Sequence, residues 1–209
     1  MGKIRISHYE KSTQVLGPGT RFVIWFQGCN KKCHGCINPE GRKLMGGYEI
    51  EVSDLIDIML NTENINGITI SGGEPFLQLT GLNELINGVK SRTKLDIMLF
   101  SGYKYEEIIC WNEVIDIKKL FSKVDIFVDG EYVEELNENQ MFRGSENQNI
   151  YCFTSKYAEF KEQILNSHNR NIEFSIDEES NSFMMGIPPK GFYKEFLKQI
   201  EKVKNDENV

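Results

Sequence analysis

Apolar positions along the first 130 residues alternate between short unbroken runs and helically spaced ones. Phe22-Val-Ile-Trp-Phe26 is a continuous run of aromatic and branched residues, the pattern of a strand buried on both faces. From Ser53, a candidate N-cap, Leu55, Ile56, Met59 and Leu60 share one helical face. Gly67–Gly72 reads as a second strand bounded by glycines. Leu82, Leu85, Ile86 and Val89 predict the next helix, Leu95–Phe100 a third strand and Val124–Gly130 a fourth. Strands separated by helices of about 10–15 residues predict parallel βαβ units. Asn149–Phe153 is a candidate fifth strand. Four or five strands fall short of an eight-stranded barrel, which takes about 250 residues. The pattern predicts an α/β fold built on a partial, open parallel β/α barrel.

The last 55 or so residues carry a different pattern. Tyr157–Leu165 is helical, and Ile172, Phe174 and Ile176 then alternate, as do Phe183, Met185 and Ile187. With polar Asp177–Ser182 between them, these predict a β-hairpin whose loop exceeds a two-residue turn. Pro188-Pro189 stops the second strand, and Phe192, Phe196, Leu197, Ile200 and Val203 form one face of a final helix, with Asn205–Val209 fraying. The expected organisation is a core over residues 1–153 and a C-terminal hairpin-plus-helix extension, 154–209, packed on it.

Charge and composition mainly exclude. The 209 residues carry 24 Lys+Arg against 31 Asp+Glu, a net of −7, which opposes duplex nucleic-acid binding. The acidic excess reads as solvated surface. The longest apolar run, Phe22–Phe26, is far below the roughly 20 residues of a membrane span. Met1-Gly-Lys-Ile-Arg-Ile6 has no apolar signal region, so a soluble, cytoplasmic protein with no membrane or nucleic-acid partner is expected. A chain of this length buries about 70% of its unfolded surface and needs no disulfide scaffold. The odd count of five cysteines agrees.

The cysteines supply the chemistry. Cys29-Asn-Lys-Lys-Cys33-His-Gly-Cys36 is C-x3-C-x2-C directly after a predicted strand. Three thiolates on one short loop suit zinc or an iron–sulfur cluster. Structural zinc takes four protein ligands, and His8, Cys110 and Cys152 are the available fourths, none at a motif-like spacing. Three cysteines on a 4Fe-4S cube leave one iron open, as a reactive cluster requires. His34 adjoins Cys33 too closely to bind the same iron and is expected in solvent or against a cluster sulfur. His8 and His168 read as surface residues, Cys110 and Cys152 as small buried hydrophobes, and Trp25 and Trp111 as core.

This cysteine motif resembles the signature of the radical S-adenosylmethionine (radical SAM) superfamily, and Ser71-Gly-Gly-Glu-Pro75 after Ile68-Thr-Ile70 resembles its GGEP motif. Leu16–Arg21, Gly28-Cys29, Gly35-Cys36, Asn38, Ser101-Gly-Tyr-Lys104, Val124–Gly130 and Phe142–Gln148 are similar to the activating proteins of anaerobic ribonucleotide reductase. The likeness runs over roughly residues 14–150. Gly35 stands where many radical SAM proteins carry an aromatic residue.

The resemblance implies a 4Fe-4S cluster held by Cys29, Cys33 and Cys36, with SAM on the fourth iron. It implies Gly35, Cys36 and Ile37 against the adenine, and Gly72, Gly73, Glu74 and Pro75 against the methionine end, with the Glu74 carboxylate and nearby carbonyls accepting from the ammonium. Ser101 and Asp129 join the implied cofactor-binding set, while Arg143, Asn147 and Gln148 contact the nucleoside or shape a partner surface. No general acid–base pair is required. The implied activity is one-electron cleavage of SAM to a 5′-deoxyadenosyl radical that installs a glycyl radical on a reductase partner. A flavodoxin or ferredoxin-type protein would donate the electron, and the lysine-rich stretch Lys190–Lys204 is a conceivable dock for it. Two other readings stay open: a radical SAM enzyme modifying a peptide or small metabolite, and a non-catalytic zinc-stabilised interaction protein. The extension bears on that choice, because Gly186-Ile-Pro-Pro-Lys-Gly191 is a rigid turn able to line the site.

Overall fold

The computed structural model describes residues 2–112, 114–176 and 182–206, the last four as backbone only. Residues 177–181 of the expected hairpin loop, the side chain of Val203 and residues 207–209 of the expected frayed end lie outside this description.

The centre is a seven-stranded sheet, ordered β3-β1-β2-β4-β5-β6-β7. The four strands read from buried runs are its parallel heart: β2 (Arg21–Phe26), β4 (Gly67–Gly72), β5 (Asp96–Phe100) and β6 (Ile126–Asp129). Helices α1 (Val52–Leu60) and α2 (Leu79–Arg92) make the first two crossovers, and the short α3 (Tyr105–Ile108) and α4 (Ile117–Phe121) share the third. The candidate fifth strand is β7 (Asn149–Cys152), which pairs antiparallel with β6. Two antiparallel strands extend the other edge without a sequence forecast, β1 (Lys3–Thr13) and β3 (Tyr48–Glu51). Early in β1 only Ile4 and Ile6 are buried, and β3 is wholly polar or half-exposed, so neither carries a long apolar run. The cysteine loop therefore leaves the second strand of the chain, the first of the parallel set.

Alternation sends successive side chains to opposite faces. Phe22, Ile24 and Phe26 of β2, Ile68 and Ile70 of β4, and Ile97 and Leu99 of β5 pack in one core with Leu55 and Ile56 of α1 and Leu82, Leu85 and Ile86 of α2. The start of α1 departs from expectation. Because β3 runs straight into the helix, Glu51 takes the N-cap place in extended conformation without a side-chain cap, and Ser53 lies inside the first turn.

The opposite face carries Arg21, Val23 and Trp25, then Thr69 and Ser71, then Asp96, Met98 and Phe100. At the strand starts it is closed by a buried ionic network. Arg21 is fully buried; its Nη1 lies 2.7 Å from Asp96 Oδ1, Nε donates to Thr69 Oγ1 at 2.6 Å, and Nη2 donates to Ile68 O at 2.6 Å. Lys156 Nζ and Tyr157 OH add bonds of 2.8 and 2.6 Å to Asp96 Oδ2. Burial alone would raise the Asp96 pKa, but Arg21, Lys156 and Tyr157 together hold it below the usual carboxylate value.

Two further elements cover this face. Helix α5 (Phe160–Asn166) places Ile164 in a cluster with Met98, Ile126 and Val128. The hairpin β8 (Ile172–Ile176) and β9 (Ser182–Gly186) places Met185 against Val15, Leu16 and Val23. The hairpin corrects the reading of His8, whose ring is stacked 4.0 Å from that of Phe183 and 5.6 Å from Trp25 rather than free at the surface. Helix α6 (Phe192–Asp206) follows. Cys110 is also corrected: α3 stops after a single turn, and the thiol beyond it is exposed. Cys152 is half-buried beside the Met98 cluster. Among the described residues no helix is long and apolar enough to cross a membrane.

Candidate functional site

The parallel strands end together, and their last residues are tied edge to edge. Gly73 N donates to Phe26 O at 2.7 Å and Glu74 N to Gly28 O at 2.8 Å, stitching the end of β4 to the start of the cysteine loop. Only glycines permit this approach. Gly72 has φ +107°, and a Cβ there would lie 2.3 Å from Phe26 N; one on Gly73 would lie 2.2 Å from Gly28 O.

Glu74 extends the tie to β5. Its side chain is fully buried; Oε1 accepts from Phe76 N (3.1 Å) and Ser101 Oγ (3.0 Å), and Oε2 accepts from Gly102 N (2.7 Å). Burial pushes its pKa up against the pull of these three bonds. Asp129 plays the corresponding part at the end of β6, accepting from Tyr105 N (2.8 Å) and from Asn149 N and Nδ2 (both 3.0 Å). Ser101, Glu74 and Asp129 are thus built into the strand ends, and the described contacts of their side chains are all internal.

Beside these ends lies a cavity of about 340 Å³, within the range of small-molecule sites. It brings together Cys33, Gly35, Cys36, Ile37 and Gly72 of the predicted set, with Ser71 and Gln148. Cys29, Gly73, Glu74, Pro75, Ser101 and Asp129 are not in this lining. Trp25 and Phe100 form part of the apolar floor. Gly35 has φ +72°, and a Cβ on it would meet the ring of Tyr132 at 3.2 Å. The space that a side chain before the third cysteine would fill is therefore shared by the Tyr132 ring and the Glu134 carboxylate, both of which also line the cavity. Nothing in the local sequence around Tyr132 points to this place.

All five cysteines are free, and the three of the motif are half-buried. Burial raises the Cys29 and Cys33 thiols, although the Lys31 N–H (3.3 Å from Cys29 Sγ) lowers the first. Loading these sulfurs as thiolates therefore releases protons. Among the described residues no three His, Cys, Asp or Glu side chains are gathered closely enough for a single metal ion. The donor set suits a larger centre: three soft sulfurs on a short loop, two of them facing the cavity. His34 is 90% exposed and pairs through Nδ1 with Glu134 Oε2 at 2.7 Å, which places it in solvent. Lys31 sits 3.9 Å over the Tyr103 ring and 3.2 Å from Glu131 Oε1, beside Cys33.

The Phe142–Gln148 segment is a self-closing loop. Gln148 Oε1 accepts from Gly144 N and Ser145 N, its Nε2 donates to Gly130 O, Arg143 Nη1 donates to Gln148 O, and Asn147 Nδ2 donates to Glu131 O. Gly144 and Gln148 reach the cavity wall. Arg170, the stretch Gly186–Gly191, Tyr193 and Lys194 form a further part of the wall.

Residues 15–151 match the model of the 4Fe-4S single cluster domain family. The chain belongs to this 4Fe-4S single-cluster family. It is similar to the anaerobic ribonucleoside-triphosphate reductase-activating protein of Enterobacteria phage T4, 33% identical over 147 residues, 67% of this chain and 88% of that protein. The protein of the same name from Vibrio cholerae serotype O1 is 33% identical over 148 residues, 67% and 92%. The pyruvate formate-lyase-activating enzyme of Clostridium pasteurianum is 33% identical over 124 residues, 54% of this chain and 52% of that enzyme, so the chain spans about half of it.

Proposed function

We propose that this chain is a radical SAM activase, an oxidoreductase that generates a glycyl radical on an anaerobic ribonucleotide reductase. The observation that carries the reading is the cavity at the carboxyl ends of the parallel strands, where Cys33 and Cys36 face the same space as Gly35, Ile37, Ser71 and Gly72. In this reading Cys29, Cys33 and Cys36 would hold a 4Fe-4S cluster, and the cavity beside them would take SAM. A cluster held there would supply the electron for reductive cleavage of SAM, the chemistry by which hydrogen would be taken from a glycine of the partner. The relatives named as reductase-activating proteins support that choice of partner.

The chain's own residues bind, orient and exclude water. Gly35–Ile37 and Ser71–Gly72 offer backbone to the nucleoside and amino-acid ends of SAM, while Trp25, Phe100 and Tyr132 keep the site apolar. The carboxylates of Glu74 and Asp129 fix the neighbouring strand ends, of β4 with β5 and of β6. The four parallel strands support a partial, open barrel whose lower end is plugged by Arg21 and Asp96, with residues 1–153 as core and 154–209 as its extension. A flavodoxin or ferredoxin-type donor and a cytoplasmic setting complete the reading.

Reconstituted anaerobically and treated with dithionite and SAM, the protein releases 5′-deoxyadenosine, and Cys33→Ala abolishes the release. Adding the reductase gives a doublet glycyl-radical signal. Retained release in Cys33→Ala contradicts the cluster assignment. A second reading, modification of a peptide or metabolite, is favoured by one feature: part of the cavity wall lies beyond the family-matched residues. Release of 5′-deoxyadenosine without a radical on the reductase would select it.

A further inference from the structure

The family match ends at residue 151, and the reductase-activating relatives are covered over 88% and 92% of their length by 67% of this chain. Yet Ile187, Pro188, Pro189 and Tyr193 line the cavity opposite the cysteine loop. Arg170 bridges this wall to the matched part through four carbonyls, beside a bond from Lys190 N to Asn139 Oδ1 (2.8 Å). Arg170 Nε donates to Gln140 O (2.9 Å), Nη1 to Pro188 O (2.9 Å), and Nη2 to Arg143 O (2.7 Å) and Gly144 O (3.1 Å). Among the described residues it forms no ion pair; its charge is met by four carbonyl dipoles.

The arrangement follows from the sequence of the turn. Pro188 and Pro189 have no N–H and fixed φ, so the turn is stiff and is held through a carbonyl. A planar guanidinium can bridge carbonyls from two segments, which an ammonium cannot do with the same geometry. The hairpin body has anchors of its own. Glu173 accepts from Thr13 Oγ1 (2.6 Å) and Gln14 N (3.2 Å), Phe183 stacks on His8, and Met185 is buried. Loss of the guanidinium therefore loosens the turn at Pro188, leaving it the Lys190 N bond to Asn139 Oδ1, while the hairpin stays docked.

We propose that Arg170 is a positioning residue for the substrate side of the cavity, setting the Pro188–Pro189 wall against the Phe142–Gln148 loop so that the C-terminal segment selects which polypeptide glycine reaches the cysteine loop. The substrate class rests on the activase reading above; the placement of the wall does not.

The test begins with the metal-free protein. Timed iodoacetamide labelling, quantified by peptide mass spectrometry, compares Cys33 and Cys36 with exposed Cys110 as internal reference. Arg170→Ala raises the Cys36/Cys110 and Cys33/Cys110 rate ratios about ten-fold, the factor for 1.4 kcal/mol of lost closure. Arg170→Lys restores at most part of the protection. Unchanged ratios overturn the proposal. If Arg170→Ala loses its near-ultraviolet circular dichroism, the Pro188→Ala/Pro189→Ala variant, which keeps the guanidinium but softens the turn, is measured instead with the same expectation. In the reconstituted enzyme, Arg170→Ala raises the KM for the reductase and lowers glycyl radicals formed per 5′-deoxyadenosine released by about five-fold or more. A ratio equal to wild type overturns the selecting role. Wild-type protein that releases no 5′-deoxyadenosine overturns the activase reading instead, while the labelling ratios still decide where the wall stands.

Discussion

Glu74→Ala separates two roles for the acidic residue of the Gly-Gly-Glu-Pro segment. The resemblance points its carboxylate at the SAM ammonium, whereas the structure has both oxygens occupied by Phe76 N, Ser101 Oγ and Gly102 N in a fully buried position. Truncation leaves two backbone N–H groups and one hydroxyl without their acceptor. Each buried donor left unpaired costs about 1–3 kcal/mol. Burial raises this carboxyl's pKa, so keeping it ionised already offsets part of what the bonds contribute, and the lower end of the range applies. The expected loss is about 3 kcal/mol, a large share of a total near 5–15 kcal/mol. With a urea m-value of about 2 kcal/mol/M, the midpoint of the metal-free protein falls by about 1.5 M. Glu74→Gln keeps the Oε1 acceptor but turns an amide N–H₂ toward Gly102 N, so it falls between, at about 1–2 kcal/mol. Urea unfolding followed by circular dichroism, without cofactor, reads both. A midpoint shift below about 0.3 M for Glu74→Ala, together with weakened SAM binding by the loaded protein, would refute the structural role and return the carboxylate to the ligand.

Asp96→Asn leaves buried Arg21 without its counter-charge and costs about 3–5 kcal/mol near neutral pH. Because folding lowers the Asp96 pKa, its contribution is complete above the unfolded value and fades as pH falls through the folded one. The urea-midpoint gap between wild type and Asp96→Asn therefore narrows from pH 5 toward pH 2, and a constant gap contradicts the pairing. Gly35→Ala forces a side chain at φ +72° toward Tyr132 and lowers stability by roughly 1–2 kcal/mol, measured in the same assay. Cys110→Ser, at an exposed position, shifts stability by no more than about 0.5 kcal/mol and leaves iron binding unchanged.

The parallel strands were legible because they are buried on both faces: Phe22–Phe26 reads as an unbroken apolar run, and Gly67–Gly72 as a short strand bounded by glycines. Strands β1 and β3 were not, since charged residues such as Lys3, Arg5 and Glu49 interrupt the pattern where a face meets solvent. The cysteine loop and the glycines at the end of β4 were legible from spacing. Their physical role was only half so: Gly72 and Gly73 admit another strand end, which no local pattern announces. Glu74 and Asp129 read as ligand-facing acids because a sequence cannot show that their acceptors are already filled. Tyr132 and Arg170 escaped for the same reason. Tyr132 meets Gly35 from a distant loop, and the carbonyls bound by Arg170 lie 18 to 30 residues away. The hairpin was readable from its alternation, but its closing of the cavity depends on docking through Met185 and Phe183, which is tertiary.

The activase reading stands on Cys29, Cys33 and Cys36 holding an iron–sulfur cluster at the end of β2. Iron, sulfide and zinc analysis of anaerobically reconstituted protein tests it most directly, with wild type beside Cys33→Ala and Cys110→Ser. Wild type and Cys110→Ser are expected to hold about four iron and four sulfide per chain, and Cys33→Ala to lose them. One tightly bound zinc with no iron, or a full iron complement in Cys33→Ala, would contradict it.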